Sequence, residues 1–322
     1  MLIMTSSDFG AVYVSDKCGS VIYSHVCQAL FLKGAPVIGL LESWCIRNSK
    51  SIHGIKPTLA VVYFNTGVDA DEYLRIKAEV AAKAGIDFIP YELAPNASTD
   101  GVLHLISTLN KCSQTHGILV QRPLPIQISE TDVMGSISRR KHVEERLQGQ
   151  PSNIAVDGVV RLLASYRKAD MLDLSIVLLG GTNIITPGFK AELKKRYPRI
   201  EMFKTPEEAK LVNRDGVIVM TELNKGGIIQ PEMLGPGVEL VIDLGFDINT
   251  KMGDLDPKVF DVDGLMVVPT PGGVLPVIIW LMMERTIKSM SRRRSSKSIW
   301  LRKGCAQILN LFRVKSASQN SH

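Results

Sequence analysis

The chain has 322 residues, more than one compact core usually holds, so two domains are expected. A composition of 45% hydrophobic and 22% charged residues is typical of a soluble globular protein and excludes an overall disordered chain. The formal net charge is +6, but eight Lys or Arg residues and no acid follow Ser289, which leaves −2 for the rest of the chain. The body of the chain therefore gives no electrostatic reason to bind nucleic acid, and no such partner is predicted.

The five cysteines are an odd number and form no C-x-x-C pair, a pattern that predicts reduced thiols and an intracellular protein. The first twenty residues hold one basic residue, Lys17, and two acids, which argues against a secretory or mitochondrial leader. We expect a cytoplasmic protein, with a mitochondrial location as the alternative. No metal site is predicted, and the apolar run at 274–283 is too short to span a bilayer.

From residue 57 the chain alternates apolar strands with helices, a pattern typical of a parallel sheet. Strands are predicted at 59–64, 86–91 and 117–120, with helices at about 69–85 and 100–109 between them. The residues before 57 receive no assignment. The pattern predicts a β-α-β-α-β unit that ends at residue 120.

A polar segment at 127–153 separates this unit from a second series of strands. Its charged residues, among them Lys141 and Glu144, are expected on a solvated surface helix and loop. A short helix is predicted after Asp157-Gly158, up to about Lys168. Further strands are predicted at 175–179, 200–203, 216–220 and 239–243. This half resembles an open sheet with a glycine turn after its first strand.

The stretch at 117–125, Gly-Ile-Leu-Val-Gln-Arg-Pro-Leu-Pro, combines a buried strand with an abrupt end. Pro123 and Pro125 have no N–H to donate, so the chain must leave the sheet at Gln121 and Arg122. Open α/β sheets bind ligands at this carboxyl end of the strands. The alternative is a strand that simply stops at a proline turn.

Tyr73 and Lys77 lie four residues apart on the first predicted helix and share one face. They lie close to the N-terminus of that helix, where the helix dipole and any neighbouring cation lower the pKa of a lysine. A lysine with a lowered pKa suits proton transfer. The alternative is an exposed lysine beside a packed tyrosine.

The glycine turn at 180–188 does not match G-x-G-x-x-G, so its spacing alone is a weak cofactor signal. It follows a predicted strand, so its N–H groups could face a phosphate at the start of the next helix. Lys204 follows the next strand, where a cation suits the 2′-phosphate of NADP better than a free ribose hydroxyl. NADP is therefore the predicted cofactor, with NAD as the alternative.

The densest turn signal is Pro-Thr-Pro-Gly-Gly-Val-Leu-Pro at 269–276. Its adjacent glycines, Gly272 and Gly273, would let the backbone approach a ligand closely. A tight structural turn would have the same sequence, so both interpretations stay open.

Together these motifs resemble the bifunctional methylenetetrahydrofolate dehydrogenase/methenyltetrahydrofolate cyclohydrolase family, with this chain as a divergent member. The resemblance extends from about residue 57 to residue 288 and rests on Tyr73-x-x-x-Lys77, the stretch at 117–125, Val156-Asp157-Gly158 and the turn at 269–276. It implies an α/β fold with two domains, an N-terminal folate-binding domain and a C-terminal Rossmann-like doubly wound parallel sheet. The implied boundaries are 1–157 and 158–275, then a helix returning to the first domain at 276–290 and a basic tail at 291–322.

The resemblance also implies roles for individual residues. Tyr73 would stack on the folate, Lys77 would handle the proton of the hydrolysis, Gln121 would orient or tune that lysine, and Asp157 would bind the pterin. The other implied substrate-binding residues are Val120, Arg122, Pro271, Gly272, Gly273 and Val274. The implied cofactor-binding residues are Gly180, Gly181, Thr182, Lys204 and Phe246. Tetrahydrofolate derivatives are the implied ligands, and a homodimer is the implied assembly.

The cofactor side departs most from the family pattern. The family usually has Gly-Arg-Ser where this chain has Gly180-Gly181-Thr182, and a Pro-Cys-Thr-Pro loop over the nicotinamide is expected to be absent. We therefore expect hydrolysis to be retained more robustly than oxidation. The alternatives are a folate-binding homologue with impaired catalysis, and a scaffold or membrane-peripheral protein that uses a basic amphipathic helix in the tail.

Overall fold

The computed structural model describes residues 29–50, 56–64, 68–144, 146–147, 150–151, 153–166, 174–181 and 184–292. Thr182 and the basic tail beyond Arg292 lie outside these residues. Residues 167–173 also lie outside them; they are part of the segment between Gly158 and Ser175, from which the Pro-Cys-Thr-Pro loop is expected to be absent. Among the described helices, none combines the length and the apolar character that a bilayer span requires.

The described elements are numbered here in chain order. The strands are β1 (Leu30–Phe31), β2 (Thr58–Phe64), β3 (Asp87–Leu93), β4 (Gly117–Val120), β5 (Arg146–Leu147), β6 (Gln150–Pro151), β7 (Ser175–Gly180), β8 (Ile200–Phe203), β9 (Val217–Glu222), β10 (Val238–Asp243) and β11 (Met266–Val268). The helices are α1 (Ala35–Asn48), α2 (Val68–Lys83), α3 (Thr99–Lys111), α4 (Glu130–Ser136), α5 (Ile154–Ser165), α6 (Pro187–Lys194), α7 (Pro206–Ala209) and α8 (Val274–Arg292).

The chain divides into two compact units, each built on one parallel sheet. Of the described residues, the six-stranded unit combines 29–40 with Asn153–Ile278, and the three-stranded unit combines Leu41–Ser152 with 279–292. This arrangement confirms the predicted two-domain α/β fold with parallel sheets.

The three-stranded unit has the strand order β3-β2-β4, with every pairing parallel. All seven residues of β2 are buried, as expected for a strand covered on both faces. Helix α3 begins at Ser98, whose hydroxyl accepts a hydrogen bond from the N–H of Gly101. Its apolar face joins the core with Leu105, Ile106 and Leu109. The strands and helices predicted at 59–120 are all present, with small shifts of their ends.

The six-stranded unit has the strand order β1-β11-β10-β9-β7-β8, again entirely parallel. The central strands β7, β9 and β10 are almost completely buried. Helix α5 begins at Asn153, whose Oδ1 accepts hydrogen bonds from the N–H groups of Ala155 and Val156. The four strands predicted for this half are present, and β11 completes the series toward α8.

Strand β1 belongs to the six-stranded sheet, although the predicted boundary placed residues 1–157 in the first domain. Strand β1 pairs in parallel with β11, and the N–H groups of Leu30 and Leu32 donate to the carbonyls of Leu265 and Val267. Residues 29–40 therefore belong with the second half of the chain. A strand of two residues is too short to show a periodic pattern, and its partner lies more than 200 residues away in sequence.

The charged residues around Lys141 are not all exposed to solvent, although the sequence predicted a solvated surface helix and loop for them. Arg139 and Arg140 are exposed, but Lys141 is only 4% exposed. The Lys141 Nζ donates to three carbonyl oxygens at the end of α3, those of Leu109, Asn110 and Cys112, at 2.7, 2.8 and 2.7 Å. A cation in this position satisfies helix-terminal carbonyls and the negative end of the helix dipole. Lys141 therefore caps α3 from a distant segment.

Candidate functional site

Lys77 lies inside the three-stranded unit and is only 6% exposed, so the alternative of an ordinary exposed lysine is wrong. Its Nζ donates to the Oε1 of Gln121 at 2.8 Å and lies 5.4 Å from the centre of the Tyr73 ring. Tyr73 and Lys77, which share one face of α2, therefore lie next to Gln121 at the end of β4. A ring beside a cation stabilises it moderately.

Gln121 is held in place by the end of strand β4. Its N–H donates to the carbonyl of Val62 at 2.8 Å, which is the last sheet bond before the chain turns away at Pro123. Its side-chain Nε2 donates to the carbonyl of Arg122 at 2.8 Å. This bond occupies the amide nitrogen and leaves Oε1 to accept from Lys77. The proline turn thus orients a functional amide, in addition to ending the strand.

The environment of Lys77 favours loss of its proton. Burial lowers the pKa of Lys77 to about 8, because the surrounding protein solvates an ammonium poorly, while the charge of Glu144 acts in the opposite direction. A lysine with a pKa near 8 can both accept and release a proton near neutral pH. The site therefore has the chemistry that a proton-transfer step requires.

Glu144 is the functional candidate that the sequence analysis missed. The preceding segment runs along β4, since the N–H of Ile118 donates to the carbonyl of Lys141 and Ile118 forms a parallel bridge with His142. This places the Glu144 carboxylate beside Arg122, whose Nη1 lies 3.1 Å from both of its oxygens. The available signal is Val143 between two polar residues, an alternation typical of a short strand.

Among the remaining predicted substrate residues, Val120 is the buried last residue of β4 in the three-stranded unit, and the others lie in the six-stranded unit. Asp157 is in the first turn of α5, and Pro271, Gly272, Gly273 and Val274 connect β11 to α8. Gly272 has φ +99°, and a Cβ on Gly273 would lie 2.4 Å from the carbonyl oxygen of Pro269. The turn therefore requires both glycines for its own conformation. Ligand binding by these residues stays a prediction.

The glycine turn after β7 is built around a buried carboxylate. Gly180 and Gly181 have φ +81° and +121°, and a Cβ on Gly180 would lie 2.3 Å from the carbonyl oxygen of Glu222. The Glu222 side chain, 1% exposed, accepts hydrogen bonds from the N–H groups of Ile184 and Ile185 at 2.7 and 2.8 Å. These two donors, which lie just before α6, are therefore used within the protein. The expectation that N–H groups there face a phosphate does not hold for this pair.

Lys204 and Phe246 lie at the carboxyl edge of the same sheet. Lys204 is exposed and follows β8 directly, and β8 pairs with β7 so that Phe203 lies opposite Leu179. Phe246 is partly buried, and its N–H donates to the Oδ1 of Asn224 at 3.0 Å. Lys204 is therefore placed one residue beyond the strand pair that carries the glycine turn.

Two aspartates are buried beside this edge. The Asp254 carboxylate accepts hydrogen bonds from the hydroxyl of Thr221 and from the N–H groups of Leu223 and Lys225. Asp243 accepts from the N–H groups of Gly245 and Leu255. Burial raises the pKa of Asp243 well above its usual value, and the charge of Asp254 raises it further. The pair therefore favours a proton on Asp243.

The raised pKa of Asp243 predicts a specific pH dependence of stability. The folded protein holds this proton more tightly than the unfolded chain, so the stabilisation is complete below the unfolded pKa, near 3.8, and is lost as the pH rises toward the folded pKa. Asp243→Asn removes this contribution, which can reach about 1.4 kcal/mol per pH unit. Urea unfolding at a series of pH values above the unfolded pKa should therefore show a flatter pH dependence for the variant than for the wild type. Equal slopes would contradict the assignment.

The sequence matches two family models that together cover most of the chain. Residues 39–144 match the catalytic domain of tetrahydrofolate dehydrogenase/cyclohydrolase, and residues 154–294 match the NAD(P)-binding domain of the same family. The chain belongs to the tetrahydrofolate dehydrogenase/cyclohydrolase family. This membership confirms the family resemblance that the sequence motifs indicated. The function that the two family models support is methylenetetrahydrofolate dehydrogenase/cyclohydrolase activity in one-carbon metabolism.

Known members of this family align with this chain over nearly their whole length. The bifunctional protein FolD of Campylobacter jejuni is 27% identical over 256 residues, which are 74% of this chain and 90% of the relative. The crystal structure of FolD from Campylobacter jejuni superimposes with a TM-score of 0.71 at 25% identity, covering 82% of this chain and 99% of that chain. The dehydrogenase-cyclohydrolase of Trypanosoma brucei, solved with NADP and an inhibitor, gives 0.71 at 20% identity over 83% and 99%, and shows the shared fold.

Proposed function

We propose that this chain oxidises 5,10-methylenetetrahydrofolate to 5,10-methenyltetrahydrofolate with NADP and hydrolyses the product to 10-formyltetrahydrofolate. The proposal is supported by family membership over residues 39–144 and 154–294. The observation that carries it is the buried Lys77, hydrogen-bonded to Gln121 and lowered in pKa to about 8. A lysine in this state is suited to the proton transfer that hydrolysis requires.

In the hydrolysis, water adds to the methenyl carbon and loses one proton. The bond from that carbon to N5 then breaks, which leaves the formyl group on N10, and N5 takes the remaining hydroxyl proton. Lys77 without its proton accepts the proton that the water loses first, while the Gln121 carbonyl oxygen fixes the position of its Nζ at 2.8 Å. Tyr73, whose ring lies beside Lys77, offers an aromatic face to the folate ring system. These roles are proposals that rest on the geometry of the three-stranded unit.

The six-stranded unit fits a dinucleotide at the carboxyl edge of its sheet. The NAD(P)-binding family model covers this unit, and the exposed Lys204 at that edge supplies a cation for a phosphate. Gly180, Gly181, Lys204 and Phe246 are the described residues that would hold the cofactor, which supplies the hydride acceptor when bound. NADP is favoured by Lys204, with NAD as the alternative.

Lys204→Ala tests the choice of cofactor. Loss of a charge-assisted contact to a 2′-phosphate should weaken NADP binding about tenfold, while NAD binding should change by less than about twofold. Fluorescence titration with NADPH and NADH measures both directly. Lys194→Ala, another exposed lysine of the same unit, is the control and should bind both as the wild type does. Equal losses for the two cofactors would exclude Lys204 as the phosphate ligand.

The deciding experiment measures two rates on the purified protein: oxidation of methylenetetrahydrofolate with NADP or NAD, and hydrolysis of methenyltetrahydrofolate above the buffer rate. Both rates above background support the bifunctional proposal. Hydrolysis alone would mean that the cofactor turn around Glu222 no longer accepts a dinucleotide. Folate binding without either rate would support the alternative of a homologue that has lost catalysis.

We also propose a homodimer located in the cytoplasm, with mitochondria as the alternative location. The family resemblance supports the dimer, and the free thiols of Cys45 and Cys112, the cysteines within the described residues, support a reducing compartment. Light scattering tests the homodimer, and cell fractionation tests the location.

The basic tail offers a separate test of the membrane-peripheral alternative. If the tail contacts membranes, deletion of residues 289–322 should release the protein from a membrane fraction, and unchanged partition would exclude that role.

A further inference from the structure

Arg122 occupies an unusual position beside the proposed proton-transfer lysine. It follows Gln121 directly, and its guanidinium pairs with two acids: Nη1 lies 3.1 Å from both oxygens of Glu144, and Nε lies 2.8 Å from Glu130. The side chains of Arg122 and Glu144 are only 15% and 17% exposed, so water screens this pair weakly. Glu144 in turn exerts an electrostatic effect on Lys77.

We propose that Arg122 is a positioning residue that holds the Glu144 carboxylate and thereby limits its attraction for the Lys77 ammonium. The proposal deepens the function assigned to Lys77 and rests on it. Arg122 is a cation that is fixed by two carboxylates, those of Glu130 and Glu144. Such a cation partly neutralises Glu144, because a carboxylate already paired with a guanidinium attracts a second cation less.

The charged groups around this arrangement define its balance. The charge of Glu144 acts on Lys77 from another segment, and the Tyr73 ring on the same helix lies 5.4 Å from the Lys77 Nζ. Glu144 faces Arg122 from the end of β4, and Arg285 of α8 donates to its backbone carbonyl oxygen at 2.9 Å. The N–H of Glu144 donates to the Nδ1 of His142 at 3.3 Å. Arg122 therefore pairs with the carboxylate itself, while these contacts of Arg285 and His142 involve the backbone of Glu144.

Removal of Arg122 should strengthen the attraction between the Glu144 carboxylate and the Lys77 ammonium, and so favour the protonated form of Lys77. In Arg122→Leu we expect the titration midpoint of Lys77 to rise by about one pH unit relative to the wild type. Arg122→Lys keeps the charge and should restore at least half of the difference. The measurement is an NMR titration of full-length protein labelled at the lysine ε-carbon, with the Lys77 signal assigned from Lys77→Met.

Two comparisons make the test specific. Arg75→Leu removes an arginine from the same helix as Lys77, where it forms an exposed ion pair with Glu79, and should leave the midpoint unchanged. In a Glu144→Gln background, Arg122→Leu should shift the midpoint by less than half as much as in the wild type. Circular dichroism checks folding, and Arg122→Gln replaces Arg122→Leu if that variant does not fold.

An unchanged midpoint in Arg122→Leu would overturn the proposal. A rise of the same size in the Glu144→Gln background would overturn it too, because Arg122 would then act on Lys77 through its own charge. The titration needs no substrate, so it remains informative if the hydrolysis rate proves absent. A midpoint that responds to Arg122 in a protein without hydrolysis would support the positioning role and reject the function proposed for Lys77. A matching shift in the pH profile of hydrolysis would support both.

Discussion

Lys77→Met should lower the rate of methenyltetrahydrofolate hydrolysis by about a thousandfold, within the range that a positioned acid–base group contributes. Methionine has a similar length and an apolar character that suits the buried position of Lys77, so the fold should survive the change. What is lost is the group that accepts the proton of the attacking water. The measurement is the decay of methenyltetrahydrofolate absorbance above the buffer rate, together with circular dichroism of the variant.

The pH profile gives this prediction a distinct signature. Since Lys77 must be free of its proton to act as a base and has a pKa of about 8, the wild-type rate should rise with pH and level off above that value. Lys83→Met, at the exposed end of the same helix, is the matched control and should keep both the rate and the profile. If Lys77→Met hydrolysed the substrate as fast as the wild type, another group would have to perform the proton transfer.

Local sequence patterns predicted the parts of the site that depend on neighbouring residues. The spacing of Tyr73 and Lys77 placed both on one helix face, and Pro123 predicted that the chain leaves the sheet at Gln121. Both features follow from helical periodicity and from the missing N–H of proline, so no distant contact was needed. The hydrogen bond between Lys77 and Gln121 joins these two local predictions across 44 residues.

The residues that the sequence did not predict depend on contacts between distant segments. Lys141 appeared as part of a solvated charge run, because nothing nearby reveals the helix end that its Nζ caps 29 to 32 residues earlier. Glu144 was overlooked in the same run, and Glu222 lies 37 and 38 residues from the N–H groups that it binds. A charge in sequence has no fixed environment until tertiary contacts define one, so such residues cannot be assigned from local pattern alone.

Asp254→Ala should cost about 5 kcal/mol of stability in the six-stranded unit. The Asp254 side chain is fully buried, and its carboxylate is the acceptor for the Thr221 hydroxyl and for the N–H groups of Leu223 and Lys225, at 2.7, 2.6 and 2.9 Å. Alanine leaves three donors without this acceptor, and each such loss costs about 1 to 3 kcal/mol. Relief of the repulsion with Asp243 offsets part of that cost. The total is comparable to the stability of a typical domain.

Urea unfolding measures the global effect, and hydrogen exchange at Leu223 and Lys225 measures the local one. Asp254→Asn, which keeps one acceptor oxygen, should lose less stability than Asp254→Ala, whereas Asp263→Ala, at an exposed aspartate of the same unit, should lose almost none. A cost below about 1 kcal/mol for Asp254→Ala would mean that the three donors find other partners. Because Asp254 ties the end of β9 to the segment after β10, faster exchange should be accompanied by weaker NADPH binding. NADPH binding that persists despite faster exchange would separate the cofactor site from this network and leave Asp254 a purely structural role.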